Sequence, residues 1–361
     1  MKKFLICKIK PAVFLAGCFC FFFILLIFTY PNDVTNGGLN GLLICGEVII
    51  PSLFPFMVIA LFLSKSGIIY YIGRLINPVA RALFNISGES AGVLLMSFIA
   101  GYPVGARLTN ELYKTGKINL DEASRMLCFT VNAGPAFIVT AVGAGILGSK
   151  SAGAVLLAAH VLGSVLIGII LGINSRRLGQ SPNDNTKKSI KPPKALSSAF
   201  VESTAEASSS ILNICAWVVL FSCVIQLLNR ISLSDNIVLI LSSLSEVTTG
   251  TVLLARTCNL PLLAALLGWA GFSVHCQVLS SSKDISQNIL KFIFFRILHG
   301  AFSAVITYLL LKIYPLAIST GENSEIISRP SSVSIPVSIS LIFMSVVLLF
   351  FIGENQSTSK H

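Results

Sequence analysis

Hydrophobic residues in this chain gather into runs of about 20, separated by short polar breaks, at 12–30, 42–64, 126–147, 151–173, 210–229, 262–280, 292–312 and 335–352. An α-helix of that length crosses roughly 30 Å of hydrocarbon. Two more apolar segments, 91–106 and 238–255, are shorter or interrupted by polar residues. They predict re-entrant or broken helices, a backbone tolerated at depth only where protein or a watery cavity satisfies its freed groups. Residues 66–86 place Arg74 and Arg81 among apolar neighbours, the pattern of a helix lying at the membrane surface. The expected fold is an all-α polytopic membrane protein with about eight transmembrane helices plus two re-entrant segments.

Composition agrees, since 54% of the 361 residues are hydrophobic and only 11% charged, more apolar surface than a soluble core of this size could hide. The lipid bilayer is therefore the first partner, and the chain is expected in the cell membrane. Lys2, Lys3, Lys8 and Lys10 ahead of the first run resemble a signal peptide. The run is long, however, and no small-residue cleavage site follows Tyr30-Pro31-Asn32, so an uncleaved first helix is expected. The nine cysteines show no Cys-x-x-Cys and no histidine at ligand spacing, which argues for packing and against a metal site or disulfide framework. No cofactor, nucleotide-binding loop or enzyme chemistry is expected. The net charge of +11 sits in short loops and forms no basic stripe interleaved with aromatics, so nucleic acid is not expected as a partner.

Lysine and arginine mark the cytoplasmic loops. If 91–106 and 238–255 return to the side they left, the N-terminal tail, residues 65–125, the loop 174–198, Lys283, Lys291 and Lys360 are all inside. Lys150, Arg230, Arg256, Lys312 and Arg329 are then outside, and Arg296 lies within a span. With all ten segments crossing, the basic loops at 107–125 and 174–198 would both be misplaced. The same arrangement exposes a duplication: 42–64, 91–106, 126–147 and 151–173 align in order with 210–229, 238–255, 262–280 and 292–312. Three full crossings per half make it an inverted repeat, in which solute sits near the midplane between discontinuous helices. The expected units are an anchor helix at 1–40, a first repeat at 41–173, a basic linker at 174–198, a second repeat at 199–312 and a C-terminal loop and helix at 313–361.

Candidate chemistry lies at the breaks. Glu89 and Glu246 are carboxylates in otherwise apolar segments, where an acid either serves a solute, ion or proton or caps a helix end. Gly101, Pro103 and Gly105 unwind the first segment, by direct contact with solute or by close helix packing. In the next run, Asn132 and Gly134 precede Pro135, which at the first position of a half-helix leaves amides and a positive dipole end suited to an anion. The second half answers with Thr248, Thr249, Ser273, His275 and Gln277 as donors, His275 being the candidate for proton linkage. His160 and His299 have no accompanying motif and read as satisfied core residues. Glu122 and Arg125 read as solvated loop residues.

Gly101-Tyr102-Pro103-Val104-Gly105-Ala106, Asn132-Ala133-Gly134-Pro135, Glu246-Val247-Thr248-Thr249-Gly250 and Gly268-Trp269-Ala270-Gly271-Phe272-Ser273-Val274-His275-Cys276-Gln277 occur in this order. Together they resemble the sporulation integral membrane protein YlbJ (SpoVV) family, within the nucleoside-recognition or Gate group, over about residues 40–312. The resemblance implies a transporter of dipicolinic acid, a small planar dicarboxylate, across the outer forespore membrane. A nucleoside or another carboxylate is the rival solute. A spore-assembly scaffold that transports nothing, with homo-oligomers or spore membrane proteins as partners, is the rival class.

Overall fold

The computed structural model describes residues 11–182, 195–230, 234–257, 259–286 and 288–316. The span expected at 335–352, the C-terminal loop, the N-terminal lysines and the centre of the 174–198 linker lie outside the described residues. The helices are, in order, α1 (Pro11–Thr29), α2 (Pro31–Ile44), α3 (Ile50–Lys65), α4 (Ile68–Phe84), α5 (Gly88–Ala100), α6 (Tyr102–Lys114) and α7 (Leu120–Leu127). Then come α8 (Lys150–Arg177), α9 (Leu196–Leu228), α10 (Asp235–Ser245), α11 (Val247–Ala255), α12 (Leu260–Trp269), α13 (Gly271–Ser281) and α14 (Ile289–Ile313). A π-helical turn at Cys45–Ile49 joins α2 to α3, and a π-helix at Ala136–Ile146 precedes α8. No strand occurs among the described residues.

Among the described residues five stretches are long and apolar enough to cross a membrane: Pro31–Lys65, Lys150–Arg177, Leu196–Leu228, Leu260–Ser281 and Ile289–Ile313. The α4–α5 pair, bent by 91°, makes a sixth if counted as one broken span. The protein is thus an all-α integral membrane protein. The run 126–147 is not one helix: α7 stops at Leu127, and the chain passes irregularly through Asn132 and Gly134 before the π-helix begins. Helices also overrun the hydrophobic runs, so that the expected boundaries at 40/41, 173/174 and 198/199 fall inside α2, α8 and α9.

These overruns are polar, and protein rather than lipid satisfies them. On α2, Gly37 and Gly41 lie one turn apart against α9, where an added Cβ would come within 2.8 Å of the Cα atoms of Cys223 and Val219. Small residues at this spacing let two backbones approach, the usual basis of helix association in membranes. At one end of the same pair, Lys65 meets Glu206 at 2.7 Å and Glu202 at 3.4 Å, while Arg107 meets Glu206 at 2.9 Å. At the other end Arg230 meets Asp33 at 2.8 Å. The two clusters therefore fix α9 antiparallel to the 31–65 helix, with Lys65 and Arg107 at one end and Arg230 at the opposite one.

The sharp α4–α5 corner corrects one expectation. Glu122 and Arg125 are not solvated; they are 0% and 3% exposed. A 91° bend leaves the last carbonyls of α4 and the first amides of α5 without helical partners. One helix supplies both needs. Arg125 donates to the Phe84 and Asn85 carbonyls at 3.1 and 3.0 Å, while Glu122 Oε1 accepts from Ser87 N at 2.7 Å and Ser90 Oγ at 2.6 Å. Away from the corner, α4 exposes Tyr71, Leu75 and Val79 along one face. That apolar stripe suits a helix lying on the membrane surface, as its sequence pattern predicts.

The α2–α9 seam yields a direct test. Gly41→Val forces side-chain atoms into the Val219 backbone and is expected to cost about 1–3 kcal/mol. Gly38→Ala, whose methyl meets only Cys223 Sγ at 3.7 Å, is expected to be near neutral. Thermal unfolding of the two variants in detergent measures the difference.

Candidate functional site

Four interruptions of helix converge in the interior, two from each half of the chain. In the first half α5 gives way to α6 at Gly101, with φ 94° and ψ −177°, and the irregular stretch before Pro135 follows α7. In the second half α10 gives way to α11 at Glu246, which is extended, and α12 to α13 at Ala270 and Gly271, both left-handed. The Gly101 conformation is closed to residues with a Cβ. Within each half the two breaks touch backbone to backbone. A Cβ on Gly134 would lie 2.9 Å from the Ile99 carbonyl and 3.2 Å from Gly101 N; one on Gly271 would lie 3.0 Å from Val247 N.

Arg296, two turns into α14 and 0% exposed, joins the two halves. Its Nη1 donates to the Val131 carbonyl at 2.6 Å, and its Nη2 to the Gly268 carbonyl and to His299 Nδ1. These carbonyls end helical or irregular segments on either side of the site and have no partner further along the chain. His299 Nε2 in turn donates to the His160 carbonyl at 2.8 Å, and His160 Nε2 accepts from Ala133 N at 2.9 Å. Those contacts fix both imidazole tautomers. Tyr102 makes a second tie between the halves, its hydroxyl donating to the Leu267 carbonyl at 2.8 Å.

Between the breaks lies a pocket of about 510 Å³, counting its open mouth. Its apolar wall comes from α3, the π-helix and α9, with Met57, Phe137 and Val218 among the contributors. The breaks contribute Gly101, Tyr102, Pro103 and Gly134 from the first half and Glu246 and Thr248 from the second, and α13 adds Gln277. A largely apolar cavity with a few placed polar groups is the usual form of a small-molecule site. Glu246 is 1% exposed and caps α11, its Oε1 accepting from Thr248 N at 2.9 Å and its Oε2 from Thr249 N at 2.6 Å.

Of the residues singled out from sequence, Gly101, Pro103, Gly134, Glu246, Thr248 and Gln277 line this pocket. Others stand behind it. Thr249 donates its amide to Glu246, and Ser273 accepts from Gln277 Nε2 at 3.2 Å. Asn132 donates to Ser97 Oγ and the Phe129 carbonyl, holding the irregular stretch in shape. His275 shares a 3.0 Å hydrogen bond with the Trp269 carbonyl inside a cage of Trp269, Phe272 and Phe292. Pro135 opens the π-helix, but the Phe137 and Ile138 amides beyond it donate to the Gly134 carbonyl and are already occupied. Gly105 packs so tightly that an added Cβ would overlap the Thr130 carbonyl. Glu89 is half-exposed in the first turn of α5 and does not line the pocket.

Sequence reading assigned no role to Arg296. The available signal was an arginine seven residues into an apolar helix, since a charge at membrane depth is rare without a partner. Arg296→Met removes the donor to the Val131 and Gly268 carbonyls at once, and each buried polar group left unpaired costs about 1–3 kcal/mol. Marked destabilisation is expected, with faster amide exchange around 131–134 and 268–271 and a smaller loss for Arg296→Lys. Hydrogen exchange in detergent resolves both.

Residues 47–150, which carry the first pair of breaks, match the family model for nucleoside recognition, the Gate family. No solved structure matches the chain. Over 344 residues, 84% of each chain, the protein is 27% identical to the sporulation integral membrane protein YlbJ of Bacillus subtilis (strain 168), so its likeness to a sporulation membrane protein extends well beyond the Gate segment to both pairs of breaks.

Proposed function

We propose that the protein carries a small planar carboxylate, dipicolinic acid, across the outer forespore membrane of a sporulating cell. One observation carries this reading: the pocket is walled by helix breaks from both halves of the chain. In each half a long helix, two broken elements and a second long helix follow in order, and three crossings per half would make the halves an inverted repeat. Rocking one half against the other would then expose the pocket to each side in turn. The likeness to a sporulation membrane protein supports the setting, and the largely apolar walls suit an aromatic ring. Gly101, Pro103 and Gly134 shape the cavity, while Thr248 and Gln277 contact the solute. Asn132, Thr249, Ser273 and His275 support them, and Gly105 and Pro135 fix the first half's breaks. Glu246 holds α11 and carries a proton, and Glu89 steadies the first broken segment.

A second reading has its own support. The Gate match, together with an acidic acceptor at Glu246 and an amide at Gln277, suits a nucleoside, whose hydroxyls donate to a carboxylate and whose base edge pairs with an amide.

Uptake by proteoliposomes separates these readings. Labelled dipicolinate is expected to enter faster than labelled uridine and faster than into protein-free vesicles. Gln277→Leu, which removes a polar contact worth about 1–3 kcal/mol, is expected to slow flux by about tenfold or more. Uridine flux without dipicolinate flux selects the nucleoside. Neither flux, with wild-type behaviour retained in Glu246 and Gln277 variants during sporulation, selects the scaffold.

A further inference from the structure

Two opposite charges are buried around the pocket without touching each other. Glu246 spends both carboxylate oxygens on the Thr248 and Thr249 amides. Arg296 spends its Nη groups on the Val131 and Gly268 carbonyls and on His299, and its Nε has no partner. Among the described residues no carboxylate lies within ion-pair distance of Arg296. Tyr102 stands between the two, lining the pocket with its side chain while its hydroxyl bonds to Leu267, next to the Gly268 carbonyl that Arg296 holds. With both groups ionised the two charges balance, an anion in the pocket wall and a cation behind it.

A solute carboxylate entering this site would leave it with an uncompensated negative charge inside hydrocarbon, which is strongly unfavourable. Neutrality returns if one resident charge is discharged, and Glu246, in the pocket wall, is the group placed for it. We propose that seating a solute carboxylate is accompanied by uptake of one proton at Glu246, the solute replacing Glu246 as the counter-charge of Arg296. This rests on the reading of the chain as a carboxylate carrier. One proton, from water, joins a carboxylate oxygen of Glu246, and for a doubly ionised dicarboxylate a second joins the solute's other carboxylate; no other bond is made or broken, and the site's net charge is then the same before and after.

The groups around Glu246 leave it as the acceptor. Cys45 of the π-helical turn is committed to Cys215 of α9, its thiol donating to the Cys215 carbonyl at 3.8 Å. Tyr102 of α6 is committed to Leu267, and Gln277 of α13 does not titrate. His275 of α13 is turned toward the Trp269 carbonyl within its aromatic cage and does not line the pocket. Arg296 of α14 is the charge being balanced.

Calorimetry of dipicolinate binding to the full-length protein in detergent, in buffers of different ionisation heat near pH 7, counts the protons. Because dipicolinate carries two negative charges near pH 7, about two protons taken up per solute bound are expected, one at Glu246 and one on the solute, with affinity rising up to about a hundredfold per unit fall in pH where uptake occurs. Glu246→Gln is expected to lower the uptake by about one proton and to make the pH dependence correspondingly shallower. Binding without proton uptake in the wild-type protein, or uptake undiminished in Glu246→Gln, overturns the proposal. The wild-type protein also decides the matter alone, because the isosteric diamide, pyridine-2,6-dicarboxamide, is expected to bind without uptake, and equal uptake for acid and diamide overturns it. Absence of dipicolinate binding overturns the carboxylate reading itself, an outcome distinct from binding without protons.

Discussion

The contact on which the rest of the interior depends is that of one guanidinium with two main-chain carbonyls. Unwinding a helix at membrane depth frees backbone groups that lipid cannot satisfy. This protein does so four times in one small volume. Arg296 answers the problem for both halves together, because its planar fork reaches Val131 on one side and Gly268 on the other. A lysine has the charge but not the fork, and an apolar side chain has neither. The histidines extend the same solution, carrying hydrogen bonds from Arg296 through His299 to the carbonyl of His160 and to the Ala133 amide.

The second half handles its other break differently. Glu246 turns its carboxylate onto the helix that it begins, so that the positive end of α11 is filled by the chain itself. The corresponding start of α6 has no side-chain cap. The two halves are thus alike in layout and unlike in charge, and this difference gives the pocket two dissimilar walls. The α4–α5 corner repeats the logic with reversed parts, Glu122 serving amides and Arg125 serving carbonyls.

Much of this was legible in the chain. Glycine and proline announced the breaks at Gly101, Gly134 and Glu246–Gly250, because few residues tolerate such backbones and because hydrophobic runs rarely contain acids. Gly101, Pro103, Gly134, Glu246, Thr248 and Gln277 accordingly come together around one cavity. What remained hidden was pairing across long sequence separations. Arg296 and Val131 are 165 residues apart, and Glu122 and Ser87 are 35 apart, so no local pattern distinguishes these charges from solvated or stray ones. Helix ends were misjudged for a related reason. Hydropathy reports affinity for lipid, whereas Glu202, Glu206, Gly37 and Gly41 face protein.

The glycine seam between α2 and α9 bears on where the working core begins. Residues 31–44 look from hydropathy like a tether leading in from an anchor, yet they pack into the second half as closely as any helix there. A version shortened to start at Pro31 would keep that contact intact. One shortened by a further eleven residues would strip cover from Val219, Ser222 and Cys223 and take Asp33 from Arg230, leaving α9 held at its Glu202–Glu206 end alone.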